Sequence, residues 1–169
     1  MEIGIDVLTA AGSRTLNTRA QTLTEARRIG VKTAFLCHSH HDAVLAKGLV
    51  SLLLATGWSA YIDWEDVQMP AIPSRETARL IRQRIVETDY FLFLATPNSL
   101  ASRWCPWEIG VADGKKQIDR ILVVATRDGG TTNGSEYVRL YRRVEYSDAG
   151  RLGVWEPGDH NNGVLVETL

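Results

Sequence analysis

Short apolar runs alternate with amphipathic stretches along most of the chain. Runs of this kind, bounded by turn residues, are typical of buried strands. They occupy residues 33–37, 58–62, 90–95 and 121–125, and a fifth strand is predicted within 138–146. Buried strands separated by helices predict a mainly parallel sheet that is covered on both faces.

The amphipathic stretches between these runs predict three helices. The predicted helices cover about residues 40–56, 74–87 and 105–115. Ser39 and Ser74 precede two of them and are suited to capping, and Gly57 is suited to ending the first. Pro106 lacks an N–H and fits the first turn of the third helix.

Five strands in a chain of this length favour a flavodoxin-like, three-layer α/β fold with strand order 2-1-3-4-5. In that order a ligand binds at the carboxyl ends of strands 1 and 3, where the winding reverses. These ends are residues 37–39 and 95–97. Residues 102–108 follow the third strand directly, so Glu108 is expected near this crevice.

The composition of the chain limits the kinds of binding partner that we expect. The 169 residues fit one domain, and a net charge of −1 gives no reason to expect nucleic acid or a membrane as partner. Cys37 and Cys105 show neither a disulfide framework nor a metal-ligand spacing. Since no secretory leader or membrane span is evident, we expect a soluble, cytoplasmic protein without a bound metal.

The sequence lacks the motifs of several ligand-binding and signalling domains that share this fold. A phosphate-binding P-loop is absent, and residues 38–41 stand where a dinucleotide-binding glycine motif would follow the first strand. An aspartate ending the third strand, as in phosphoacceptor domains, is also missing. The remaining candidate is a site that combines aromatic rings with a carboxylate. Trp104 and Glu108, four residues apart, share one face if both are helical.

Four motifs in order resemble Toll/interleukin-1 receptor (TIR) domains. Residues 35–42 resemble the first conserved box in its bacterial form. Residues 61–63, followed by a proline-containing loop, resemble the end of the second strand and the BB loop. Residues 90–94 with Ser99, and then residues 102–108, resemble the third strand and the helix that carries the catalytic glutamate. The chain departs from the family at His38, where an aromatic residue is common, and in its BB loop.

The resemblance divides the chain into three parts. Residues 32–146 are expected to form the TIR domain. Residues 1–31 are expected to be a poorly defined N-terminal arm with a short helix at about 24–29. Residues 147–169 are expected to be a turn-rich C-terminal extension, with an edge strand within 163–169.

The resemblance also implies an activity. Enzymatic TIR domains cleave NAD+ at the nicotinamide–ribose bond and yield ADP-ribose or a cyclic isomer, as in bacterial anti-phage systems such as Thoeris. NAD+ is then a substrate and no cofactor is expected. TIR–TIR contacts would form a homo-oligomer, and a separate effector would sense the product. By motif match Glu108 is the catalytic residue, and the predicted substrate contacts are His38, Ser39, Asp63, Trp64 and Trp104.

The chemistry is consistent with these residues. Nicotinamide is already a cationic leaving group, so no general acid is required. The transition state resembles an oxocarbenium ion, which a carboxylate stabilises. A position near a helix N-terminus is expected to keep Glu108 ionised. Trp64 or Trp104 would stack on a ring.

Two other functions fit the same pattern. One is a non-catalytic TIR adaptor that acts by TIR–TIR assembly and does not need Glu108 beside Trp104. The other is an enzyme similar to nucleoside deoxyribosyltransferases, in which a glutamate acts as nucleophile on nucleosides.

Overall fold

A computed structural model describes residues 1–13, 23–28, 30–63, 66, 70, 72 and 74–169. The strands are β1 (Ile3–Gly4), β2 (Lys32–Cys37), β3 (Trp58–Tyr61), β4 (Tyr90–Ala95), β5 (Ile121–Asp128), β6 (Thr131–Asn133), β7 (Arg142–Tyr146), β8 (Leu152–Trp155) and β9 (Val164–Leu165). The helices are α1 (Ile5–Gly12), α2 (Leu23–Arg28), α3 (Ala43–Ala55), α4 (Arg75–Glu87), α5 (Pro97–Ala101) and α6 (Cys105–Asp113). None of the described helices has the length and apolar character to cross a bilayer.

The sheet has the predicted order at its centre. Its main path runs β3-β2-β4-β5-β7-β8-β9, and the first five strands of this path pair in parallel. These are the five predicted strands in the order 2-1-3-4-5, so the flavodoxin-like α/β prediction is confirmed. The chain reverses its winding between β2 and β4, which are direct neighbours with Phe35 opposite Phe91.

Each central strand is buried on both faces. Side chains of a strand point to opposite faces in alternation. In β2, Ala34 and Leu36 belong to the apolar cluster beneath α3, whereas Phe35 and Cys37 belong to the cluster beneath α4 and α6. This explains why the sequence of these strands is continuously apolar.

Local chemistry fixes the helix ends that frame the crevice. The Ser74 side chain accepts a hydrogen bond from the Thr77 N–H at the start of α4, and the Thr77 side chain accepts one from the Ser74 N–H. Ser39 caps a short 3-10 helix, His40–Asp42, and α3 follows from Ala43. Gly57, with φ +83°, turns the chain from α3 into β3.

Residues 1–13, expected to be part of a poorly defined arm, belong instead to the folded core. β1 pairs in parallel with the end of β5, and Ile3 and Leu8 are fully buried. The helix predicted at about 24–29 is present as α2, although Ile29 lies outside the described residues. An isolated two-residue strand has no periodic pattern that the sequence could reveal.

The C-terminal residues extend the sheet. β8 and β9 add two antiparallel strands beyond β7, and β9 falls within the edge strand predicted at 163–169. β8 was not predicted. The Trp58 indole donates a hydrogen bond of 3.0 Å to the Val166 carbonyl, which ties the C-terminus to β3. The domain limits at residues 32 and 146 stay a prediction.

Two glycines allow α1 and α3 to touch. A Cβ at Gly48 would lie 2.0 Å from the Leu8 carbonyl oxygen, and a Cβ at Gly12 would lie 2.0 Å from the Val44 carbonyl oxygen. Both atoms belong to backbone, so neither can move aside without displacing a helix.

We therefore expect Gly48→Ala to lower the free energy of unfolding by roughly 1–3 kcal/mol, the usual cost of overpacking. Gly110→Ala is the matched control, because a Cβ at this helical position meets nothing within 4 Å. It should be neutral or stabilising by up to about 1 kcal/mol. Urea unfolding of the three proteins measures both effects, and equal stability of Gly48→Ala and wild type would contradict the proposed helix contact.

Candidate functional site

A cavity of about 590 Å³ opens at the carboxyl ends of β2 and β4, where the winding reverses. This volume lies within the range of small-molecule sites. Its described lining residues are His38, Ser39, His40, His41, Asp63, Asp66, Pro70, Thr77, Ile81, Asn98, Ala101, Ser102, Trp104 and Glu108. The cavity therefore lies in the crevice that the strand order predicts.

The cavity collects most of the residues singled out in the sequence. Five of the six predicted site residues line it, namely His38, Ser39, Asp63, Trp104 and Glu108. Trp64 lies outside the described residues. The roles assigned to these residues stay predictions.

Glu108 lies at the bottom of the cavity and is 5% exposed. It belongs to the first turn of α6, where its N–H donates to the Trp104 carbonyl at 2.9 Å. A carboxylate oxygen of Glu108 and the sulfurs of Cys37 and Cys105 lie within 4.8 Å of one another. The carboxyl group therefore has two thiols and little water around it.

Burial raises the pKa of Glu108 to about 8, with smaller contributions from Cys105 and Asp63, whereas a hydrogen bond with Cys37 lowers it. The expectation that the helix N-terminus keeps Glu108 ionised is therefore wrong for the protein alone at neutral pH. The carboxyl group is mostly protonated there, because loss of water outweighs the helix dipole.

The two cysteines differ from each other. Burial raises the pKa of Cys37 well above its usual value, so this thiol is neutral. Hydrogen bonding with Cys37, and also with Ser102 and Ser99, lowers the pKa of Cys105. Ser102 also holds the start of α6, since its Oγ accepts from the Cys105 N–H at 3.3 Å.

His38 and Ser39 form the wall of the cavity on the β2 side. His38 Nδ1 donates to the Leu36 carbonyl at 2.8 Å, which fixes the ring orientation. Burial lowers the pKa of His38, so it is neutral at physiological pH. The Ser39 N–H donates to Ser99 Oγ at 3.2 Å, which joins the β2 loop to the β4 loop.

The sequence did not indicate a buried polar network behind this wall. The carboxylate of Asp42 accepts hydrogen bonds from Thr96 Oγ1 at 2.5 Å and from Asn98 Nδ2 at 2.7 Å. Thr96 in turn caps α5 by accepting from the Ser99 N–H. The polar residues after the third strand were the available signal, because parallel strand ends meet at one edge of a sheet.

The indole ring of Trp104 also lines the cavity. Trp104 is half-buried and packs edge-to-face on Trp107, with ring centroids 5.4 Å apart. The Arg82 guanidinium covers Trp107 at 5.6 Å from its centroid. Trp104 and Glu108 both line the cavity, so they share a face as their spacing suggested, although Trp104 precedes the helix.

The acidic loop after β3 has mixed roles. Asp63 lines the cavity, and Glu65 lies outside the described residues. Asp66 accepts a 2.7 Å hydrogen bond from the Tyr61 hydroxyl and pairs with Arg84 at 2.9 Å. The ion pair joins Asp66 to α4 next to the cavity.

Comparison with known proteins identifies relatives of the chain. The sequence is 40% identical over 113 residues to a Bacillus cereus (strain MSX-D12) protein named "Probable 3' cyclic ADP-D-ribose synthase ThsB'". It is 28% identical over 82 residues to a Cytobacillus dafuensis protein named "Putative cyclic ADP-D-ribose synthase TIR2". These matches cover 65% and 47% of this chain.

The relatives are longer than the matched region. The matches span 58% of the Bacillus protein and 22% of the Cytobacillus protein. The sequence profile of the TIR domain matches residues 34–153, which include most of β2, the strands β3 to β7 and the start of β8. The chain therefore belongs to the TIR domain family.

Proposed function

We propose that the protein cleaves NAD+ at the nicotinamide–ribose bond and releases a cyclic ADP-ribose isomer. The observation that carries this proposal is the position of Glu108, whose buried carboxyl group lies at the bottom of a cavity of about 590 Å³ beside Trp104. The names of the two relatives support cyclisation rather than hydrolysis.

In the proposed reaction the C1′–N bond to nicotinamide breaks, and its electron pair leaves with the ring as neutral nicotinamide. Positive charge remains on the ribose as an oxocarbenium ion. The Glu108 carboxylate stabilises that charge from a site with few competing water molecules. An oxygen or nitrogen atom elsewhere in the bound ADP-ribose then attacks C1′ and closes the ring. Attack by water would give ADP-ribose instead.

The residues that line the cavity suit both the flat rings and the ribose hydroxyls of NAD+. Trp104 is half-buried and lines the cavity, where its ring suits stacking on a flat heterocycle. Asp63 and Ser39 supply polar atoms for ribose hydroxyls, and both line the cavity. His38 is held in one orientation by Leu36, so it contributes a fixed wall rather than a mobile acid.

Binding of the substrate should also change the charge on Glu108. The nicotinamide ring of NAD+ is a cation, and a nearby cation lowers the pKa of a carboxyl group. The substrate thereby favours the ionised state that its own cleavage needs. Without such a cation the carboxyl group is mostly protonated at neutral pH, because its pKa is about 8.

The biological setting forms part of the proposal. We infer an antiviral signalling role in bacteria, with the protein in the cytoplasm and active as a homo-oligomer through TIR–TIR contacts. A separate effector protein would sense the cyclic product. These inferences follow from the resemblance to Thoeris-type TIR proteins and from the names of the relatives.

Glu108→Gln should reduce the rate of nicotinamide release from NAD+ by at least about 10²-fold, because the amide cannot stabilise the developing cation. The assay follows nicotinamide and ADP-ribose isomers by mass spectrometry, with concentrated protein so that an oligomer can form. Glu136→Gln is the matched control, since Glu136 is exposed and does not line the cavity. An equal loss in both variants, or none in Glu108→Gln, would refute the assignment.

The pH dependence of cleavage should show the raised pKa. The reaction needs the carboxylate, and the free enzyme has a Glu108 pKa of about 8. We therefore expect kcat/KM to increase as the pH rises towards about 8 and to level off above it, because kcat/KM follows the free enzyme. The increase in kcat should occur at lower pH, because the bound cation lowers the pKa. A kcat/KM that is flat from pH 5 to pH 9 would contradict this arrangement.

The same carboxyl group should affect stability. Its pKa is raised from 4.5 to about 8 in the folded protein, so folding holds the proton more tightly than the unfolded chain does. This contribution is fully present below the unfolded pKa and is lost as the pH rises through the folded pKa. Relative to Glu108→Gln, wild type should therefore lose on the order of a few kcal/mol between pH 5 and pH 9.

Denaturant unfolding of both proteins at the two pH values measures this difference. Glu136→Gln again serves as the control and should parallel wild type at both values. If the gap between wild type and Glu108→Gln stays constant with pH, the raised pKa of Glu108 is wrong, whatever the activity of the protein.

A further inference from the structure

Cys37, Cys105 and Glu108 form a compact buried cluster that the proposed cleavage reaction does not explain. Within the described residues this is the group of cysteine, histidine and acidic side chains whose ligand atoms converge, all within 4.8 Å of one another. The two cysteines are free thiols and are at most 1% exposed. We propose that the cluster binds a thiophilic divalent cation such as Zn²⁺ through two sulfurs and one carboxylate oxygen.

The fold supplies the three ligands from two rigid elements. Cys37 ends β2, and Cys105 and Glu108 lie three residues apart on α6, which puts both on the same side of the helix. The two cysteines are 68 positions apart in the sequence, so no motif spacing reveals this arrangement. α6 packs on β2 and β4. This packing of the helix on the sheet, and not a loop, brings the three residues together.

The dimensions fit a tetrahedral ion after a small adjustment. Zinc–sulfur bonds of about 2.3 Å place two coordinating sulfurs roughly 3.8 Å apart. The three ligand atoms lie within 4.8 Å of one another, so closing on an ion needs side-chain shifts of at most about 1 Å. Binding of the ion releases the protons held by the two thiols and by Glu108. The two thiolates then balance the divalent charge, the carboxylate adds one further negative charge, and thiolates select zinc over magnesium or calcium.

An ion would reach the cluster through the cavity and would have a fourth coordination position free. Glu108 lines the cavity, whereas Cys37 and Cys105 are not among its lining residues. An ion would therefore enter from the cavity and keep one coordination position for water on that side, as zinc sites with three protein ligands do. Ser102, which accepts a hydrogen bond from the Cys105 N–H, holds the first turn of α6 in place.

Occupation by a metal would have a direct consequence. The ion would take the Glu108 carboxylate and place positive charge where the ribose cation must develop, so it would inhibit NAD+ cleavage. This consequence rests on the proposed function, but the binding site itself does not. Zinc would therefore hold the enzyme inactive until a chelating agent or a competing ligand removes it.

The test uses the full chain, reduced and transferred to a buffer without thiols, with Co²⁺ as a spectroscopic probe and Zn²⁺ as competitor. Wild type should bind one Co²⁺ per chain and show a thiolate-to-cobalt charge-transfer band. Zn²⁺ should remove this band with an apparent Kd of about 1 µM or tighter. Absence of the band in wild type would overturn the proposal.

Variants identify the ligands. Cys105→Ala and Cys37→Ala should each lose the charge-transfer band, and Glu108→Gln should keep a weaker band with at least about tenfold lower Zn²⁺ affinity. The matched control replaces both exposed histidines at the rim of the cavity, His40→Ala with His41→Ala, and should bind the metal as wild type does. Loss of binding in this control, or a band that survives in Cys105→Ala, would also overturn the site. Circular dichroism identifies any variant that fails to fold, and the wild-type band keeps the proposal testable in that case.

Activity measurements separate the two proposals. Zn²⁺ should reduce NAD+ cleavage by wild type at least about tenfold at saturation, and a chelator should restore it. Metal binding without any NAD+ cleavage would sink the proposed function and leave the metal site intact. Cleavage that Zn²⁺ does not affect, in a protein that shows no cobalt band, would sink the metal site and leave the proposed function intact.

Discussion

The adjacency of β2 and β4 is the constraint on which the candidate site depends. These strands are separated by more than fifty residues, yet they pair in parallel with Cys37 opposite Phe93. Their carboxyl ends consequently open at the same edge of the sheet, where the chain leaves in opposite winding directions. The loop after β2 supplies His38 and Ser39, and the segment after β4 supplies the helix that carries Glu108.

A buried network holds those two strand ends together. Asp42 follows β2 and bonds to Thr96 and Asn98, which follow β4, while the Ser39 N–H bonds to Ser99. Each buried partner left unsatisfied would cost about 1–3 kcal/mol, so the network resists separation of the loops. The cavity walls are therefore set by the same contacts that stabilise the fold, which suits a site that must hold reacting groups in position.

Two opposing effects act on Glu108, and their magnitudes decide its state. A helix N-terminus favours a negative charge by about 0.3–1 kcal/mol, and by up to roughly 2 kcal/mol in partly buried sites. The rise of the pKa from 4.5 to about 8 corresponds to a burial penalty on the order of 5 kcal/mol. Burial therefore wins, and the expectation of an ionised carboxylate failed because local sequence shows the helix position but not the surrounding thiols.

Other elements of the structure also differ in whether the local sequence or distant parts of the chain determine them. The five central strands, the Ser74 cap and the start of α6 near Cys105 follow from periodicity and capping chemistry, which a sequence displays directly. The N-terminal strand β1 and the antiparallel β8 depend on partners elsewhere in the chain, and no local pattern marks them. The strand order likewise indicated where Glu108 would lie, but it gave no sign that Asp42 reaches Asn98.

The convergence of Cys37 and Cys105 at Glu108 joins these observations into one physical argument. A neutral thiol from Cys37 that bonds to the carboxyl group lowers its pKa, while burial among both cysteines raises it. The same poorly hydrated surroundings that strengthen a carboxylate towards a ribose cation also strengthen it towards a metal cation. Under the two proposals, NAD+ and the metal ion would compete for the charge of Glu108, and the two sulfurs would favour a thiophilic ion. A buried carboxylate without those sulfurs would still stabilise a ribose cation, but it would no longer bind a thiophilic metal ion.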